Sequence, residues 1–133
     1  MIINTDGGSR GNPGPGACGV VIKNRNGDVI KERGKYLGIC TNNEAEYQGL
    51  ILGLELALEM GADNVEILMD SELVAKQLKG QYRVKKPHLG AFFSKAKELE
   101  RQVGSVNYFV VPREKNKRAD AIVNNILDKQ QNA

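Results

Sequence analysis

Four carboxylates in this chain stand where stability alone gives little reason for them. Asp6 follows the apolar run Met1-Ile2-Ile3-Asn4-Thr5 and opens at once into Gly7-Gly8-Ser9-Arg10-Gly11-Asn12-Pro13-Gly14-Pro15-Gly16. Asp70 repeats the design after Val65-Glu66-Ile67-Leu68-Met69, while Glu46 and Asp120 fall in stretches of helical character. A carboxylate carried to the end of a buried strand, beside glycine-rich backbone, suits a cation held against a phosphate. A nuclease-type metal site is the chemistry these residues suggest.

The elements that must position them can be read from periodicity and turn signals. Residues 1–5, 17–23 and 28–36 predict strands joined by turns, with Asn26-Gly27 marking a hairpin. A helix is predicted over 43–60, with Thr41, Asn42 and Asn43 as candidate caps and Gly61 as its stop. A strand over 64–69, a helix over 71–78, a helix near 89–102, a strand over 106–111 ended by Pro112 and a helix over 117–128 follow. The first three strands make an antiparallel meander, and the crossover after the third returns the fourth parallel to the first. Asp6 and Asp70 then meet at one edge of a mixed sheet, beyond the strand ends where such sheets bind ligands.

Periodicity selects between two acids on the long helix. Walking from Glu46 by turns reaches Leu50, Gly53, Leu54 and Ala57, an apolar stripe that faces the sheet. The walk from Glu44 passes Gln48, Glu55 and Glu59, a wet face. An inward carboxylate costs several kcal/mol unless paired or bound to metal, so Glu46 is the better ligand and Glu44 a first-turn acid favoured by the helix dipole. Asp120 in the first turn of the last helix supports two readings, a dipole acid or a metal ligand beside a basic loop.

Composition sets the outer limits. With 133 residues and 41% hydrophobic content, the chain reads as one domain, 1–133, with a real core. No apolar stretch reaches the roughly 20 residues of a membrane span, and no leader pattern opens the sequence, which predicts a cytoplasmic protein away from membranes. Cys18 and Cys40 lack zinc-ligand spacing and predict buried, reduced thiols. Net charge is +3, but basic residues gather at Lys79, Arg83, Lys85, Lys86, Lys95, Lys97 and Arg101, and again at Arg113, Lys115, Lys117 and Arg118. Such clusters beside acids suit a polyanion held across a metal site, or are solvated faces. Tyr36, Tyr47, Tyr82, Phe92 and Phe93 are expected to pack rather than to stack on bases.

Taken together, Asp6 to Gly16, Thr41-Asn42-Asn43-Glu44-Ala45-Glu46, Asp70-Ser71 and Asn116-Lys117-Arg118-Ala119-Asp120 resemble the four signature blocks of the type 1 ribonuclease H family, in family order and over nearly the whole chain. The resemblance implies an α/β fold: a five-stranded mixed sheet, its first three strands antiparallel and its fourth and fifth parallel to the first, with helices on both faces. It implies hydrolysis of the RNA strand of RNA–DNA hybrids, with Asp6, Glu46, Asp70 and Asp120 as catalytic, metal-binding acids. Two divalent cations about 3.5–4 Å apart would serve water activation, charge stabilisation and the leaving 3′-oxygen, and oxygen ligands select magnesium or manganese. Gly7, Gly8, Asn12, Thr41, Asn42, Asn43, Ser71 and Arg113 are the substrate contacts it suggests, some reaching the 2′-hydroxyl that distinguishes RNA. The expected protein is a monomer.

Three departures from the family pattern stand out. The segment from Gly80 to His88 is too short for the extra helix and basic loop of some relatives, which leaves Arg83, Lys85 and Lys86 as partial substitutes. Arg113 occupies a shortened loop where many relatives carry a histidine, and His88, the only histidine, lies elsewhere and reads as a surface residue. Glu72 stands where glutamine is common. A nucleotide-binding module is disfavoured because no Gly-Lys-Ser/Thr follows the glycines. A same-fold nuclease acting on double-stranded RNA and a catalytically weak hybrid-binding protein remain the alternatives.

Overall fold

The computed structural model describes residues 1–132. β1 (Ile2–Ser9), β2 (Gly14–Lys23) and β3 (Val29–Cys40) form the meander; α1 (Asn42–Glu59) crosses over to β4 (Asn64–Met69). α2 (Glu72–Leu78) and α3 (Pro87–Val103) lead to β5 (Ser105–Val110), and a 3₁₀ turn at Arg113–Lys115 precedes α4 (Lys117–Gln131). The strands lie in the order β3-β2-β1-β4-β5. β1 pairs antiparallel with β2 and parallel with β4, and β5 adds parallel to β4. The expected mixed sheet with helices on both faces is therefore the observed one.

The register corrects one expectation. Asp6 does not end its strand: β1 continues through Gly7↔Cys18 and Gly8↔Ala17 to Ser9↔Gly16. The parallel pairing with β4 stops earlier, at Asn4↔Leu68. Asp6 thus sits just past the point where β1 and β4 part, while β2 holds its other side. The glycines that read as loop extend because α1 packs against them. A β-carbon on Gly7 would collide with the Ala45 carbonyl, and one on Gly49 would lie 2.7 Å from the Asp6 carbonyl oxygen.

Most turns and caps follow from their residues. The hairpin between β2 and β3 closes with Gly27 N–H donating to the Asn24 carbonyl, and Gly27 takes the positive φ of 85°. Arg25 and Asn26 form its centre, so the turn falls one residue earlier than Asn26-Gly27 suggests. Thr41 caps α1: its hydroxyl accepts from Glu44 N–H at 3.2 Å, and Glu44 Oε1 accepts from Thr41 N–H at 2.7 Å. Loss of such a reciprocal cap costs about 1 kcal/mol.

Two apolar layers flank the sheet. Ile3, Val20, Leu50, Leu54, Ile67 and Leu99 belong to the core beneath α1, α2 and α3; Ala17, Val123 and Leu127 form a smaller one beneath α4. Each fully buried Leu, Ile or Val contributes roughly 1.5–3 kcal/mol. Cys18 and Cys40 are buried and free, as expected. Tyr47 is fully buried with its hydroxyl donating to Gln77 Oε1 at 2.6 Å. Tyr36 on the edge strand β3 and Tyr82 in the segment after α2 instead reach solvent. Among the described residues no helix is long and apolar enough to cross a membrane.

Candidate active site

Three elements bring three acids together. β1 presents Asp6, the residue after β4 presents Asp70, and the close seating of α1 on Gly7 and Gly49 delivers Glu46. One carboxylate oxygen from each of Asp6, Glu46 and Asp70 lies within 4.8 Å of the others. Asp6 is 4% exposed and Glu46 6%. Gly7 N–H donates to Glu46 Oε1 at 3.2 Å, which leaves Glu46 Oε2 and Asp70 Oδ2 buried with no protein partner.

This grouping is electrostatically costly in the bare protein. Burial first, then the charge of Asp70, pushes the Asp6 carboxyl up from 3.8 to about 7. Burial and the charge of Asp6 likewise hold Glu46 well above the usual carboxylate range. Clustered hard oxygens, two of them orphaned, match the donor set of a divalent magnesium or manganese ion, as do the raised proton affinities of Asp6 and Glu46. The residues fit such a metal.

Asp120 stands slightly apart. It lies outside the tight triad but lines the same cavity of about 340 Å³, and its charge acts on Asp6. Gly7, Gly8, Asn42, Asn43, Ser71 and Arg113 line that cavity too. Thr41 and Asn12 do not: the Thr41 hydroxyl caps α1, and Asn12 Oδ1 accepts from Asn42 N–H at 3.0 Å. Both shape the rim from behind, since Asn42 Oδ1 in turn accepts from Ser9 N–H at 2.9 Å.

Several residues at the site were not singled out by sequence. Arg10 lines the cavity with its guanidinium on Asp128 at 2.6 Å and Gln131 at 2.7 Å, and Asn124 Nδ2 donates to Asp120 Oδ2 at 3.3 Å. The spacing Asn116, Asp120, Asn124, Asp128 along one helix face was the available signal. The basic clusters divide. Arg118 is committed to Glu32 through two bonds of 2.8 and 2.9 Å, whereas Arg83, Lys85 and Lys86 line a groove with Tyr82 and Asn43. Asn43 borders both that groove and the acidic cavity. His88 is exposed at the start of α3 and lines neither.

A sheet of order β3-β2-β1-β4-β5 with carboxylates gathered where β1 and β4 part defines a ribonuclease H-like domain. Residues 4–126 match the family described as "Reverse transcriptase-like". Ribonuclease HI of Halobacterium salinarum is 44% identical over 123 residues, 92% of this chain and 62% of that protein. The bifunctional protein Rv2228c of Mycobacterium tuberculosis is 43% identical over 129 residues, 96% of this chain. The chain spans only 35% of the length of that relative. Among solved structures, LC11-RNase H1 in complex with an RNA/DNA hybrid superposes with a TM-score of 0.93 at 45% identity, covering 98% of each chain. RNase H1 from Halobacterium salinarum gives 0.93 at 42% identity, covering 96% of this chain and 97% of that one. The chain belongs to the ribonuclease H family, type 1.

Proposed function

We propose that this protein is a metal-dependent endonuclease that hydrolyses the RNA strand of RNA–DNA hybrids. The observation that carries this reading is the convergence of Asp6, Glu46 and Asp70 within 4.8 Å, two of their oxygens buried without a partner. The RNA/DNA hybrid bound by LC11-RNase H1, a neighbour at 45% identity, supports the choice of substrate.

Paired magnesium or manganese ions, when bound, would activate the attacking water and neutralise the leaving 3′-oxygen. Asp6, Glu46 and Asp70 would hold such ions, and Asp120, whose charge acts on Asp6, would complete the acidic set from α4. Gly7 N–H keeps Glu46 aimed inward. Asn42, Asn43, Ser71 and the backbone of Gly8 stand at the mouth to meet the cleaved strand, with Arg113 beside them. The adjoining groove of Arg83, Lys85 and Lys86 offers its cations to the partner strand's phosphates. The enzyme acts as a cytoplasmic monomer in this reading, in line with its two free, buried thiols.

Matched RNA–DNA, RNA–RNA and DNA–DNA duplexes incubated with magnesium, manganese or calcium test the proposal. Cleavage confined to the RNA of the hybrid, and present with magnesium or manganese, is the expected result. Equal cutting of RNA–RNA would replace the hybrid assignment with the double-stranded RNA one, and no cutting of any duplex would end the catalytic reading.

A further inference from the structure

The contact between the sheet and α4 is apolar around Ala17, Val123 and Leu127, yet two amides occupy its active-site end. Asn4 is 3% exposed and Asn116 2%. Asn4 Nδ2 donates to Asn116 Oδ1 at 3.0 Å, and Asn116 Nδ2 donates to the main-chain carbonyl of Thr5 at 2.9 Å. The clip therefore joins β1 to α4 across 112 positions of sequence.

Two features make this clip a poor choice for stability alone. Asn4 Oδ1 is buried with no protein partner, a state that carries the full desolvation penalty of the atom. Asn116 is the N-cap residue of α4 but gives the helix no side-chain cap, although asparagine is among the best residues for that task. Its side chain is spent on β1 instead. An aliphatic residue at position 4 would remove the orphaned Asn4 Oδ1, though it would also take the donor from Asn116 Oδ1.

Placement is what the clip supplies. Asn4 and Asp6 share one face of β1, because alternate strand residues point the same way. Asn116 and Asp120 share one face of α4, and Asp120 N–H donates to the Asn116 carbonyl at 3.1 Å. Each amide thus sits one structural repeat behind an acid, and the amides touch where the acids must stand apart at a set distance. We propose that Asn4 and Asn116 are positioning residues that fix Asp120 relative to Asp6, and so set the affinity for a divalent cation held between them. The inference rests on the metal reading given above.

Manganese binding to the substrate-free protein, measured by calorimetry, tests it with wild type, Asn4→Leu, Asp120→Asn and the double variant. Asn4→Val, shorter and β-branched, serves if leucine fails to fold. The expected result is a loss of affinity of about 10-fold in the Asn4 variant, the order seen when residues that orient metal ligands are removed. Its melting temperature should stay near that of wild type, because the substitution removes one orphaned oxygen, Asn4 Oδ1, and creates another, Asn116 Oδ1. In the Asp120→Asn background the same Asn4 substitution should add no further loss. On the hybrid, kcat should fall at limiting manganese while KM stays unchanged. An unaltered manganese affinity in a folded Asn4 variant overturns the proposal, as does an equal loss with and without Asp120. A wild-type chain that binds no manganese would overturn the metal reading itself, and that failure is told apart by showing in every variant alike.

Discussion

Asp6→Asn separates the cost of the site from its use. In the metal-free protein the Asp6 carboxyl is pushed from 3.8 to about 7, chiefly by burial and then by Asp70. Below the lower value both folded and unfolded chains hold the proton. Between the two values the folded chain keeps a proton that the unfolded chain has released, so stability falls as pH rises, and the loss is complete above the upper value. At about 1.36 kcal/mol per pH unit the ionised carboxylate then costs the fold on the order of 4 kcal/mol. Asparagine has the same shape and never ionises, and its amide can donate to the carboxylates beside it. At pH 8 in chelator, Asp6→Asn should therefore be the more stable protein by roughly 2–4 kcal/mol, or about 10 °C in melting temperature for a chain of this size. At pH 4 the advantage should vanish. Magnesium should stabilise the wild type at pH 8 and leave the variant nearly unmoved, and hybrid cleavage by the variant should be abolished. Thermal melts across pH with and without metal, paired with a labelled-hybrid assay, measure all of this. A wild type whose metal-free stability is flat from pH 4 to 8 would refute the buried-repulsion argument, and a variant retaining more than a few per cent of turnover would refute the role of Asp6.

Two further outcomes follow from the same geometry. Gly7→Ala places a methyl group into the Ala45 backbone; overpacking of that kind costs about 1–3 kcal/mol and should lift Glu46 from the triad. Urea unfolding and manganese affinity should both show the damage, and an unaffected variant would mean that α1 is not seated by that glycine. His88 is exposed and borders neither cavity nor groove, so His88→Ala should leave turnover within about twofold of wild type, as surface substitutions usually do. A hundredfold fall in single-turnover rate would return the histidine to the chemistry.

Much of the architecture could be read locally. The strand over Asn64–Met69 needed only its alternation and flanking signals, and Thr41 with Glu44 is a capping box three residues apart. The apolar stripe through Leu50 and Leu54 picked Glu46 over Glu44 because helical phase is a property of neighbouring residues. The continuation of β1 beyond Asp6 was hidden, since glycine has no strand preference and extends here only because β2 pairs with it and α1 presses upon it. Thr41 and Asn12, expected among the substrate contacts, lie outside the acidic cavity, where the Thr41 hydroxyl caps α1 and Asn12 Oδ1 accepts from Asn42 N–H. Arg118 looked free for a polyanion, whereas Glu32, 86 positions away, holds it.

The chain by itself determined which chemistry was available: acids following apolar runs and on an inward helix stripe, glycines that admit close approach, and basic residues near both. Side-chain type and local phase carry that information, because they depend on residues within a turn or two. Only the tertiary structure decided which of those groups meet. Strand pairing and the α1 crossover bring Asp6, Glu46 and Asp70 into one cluster, while the long-range amide clip and the Arg10 contact settle where α4 holds Asp120. Distance across space is set by packing among segments far apart in sequence, and no local pattern contains it.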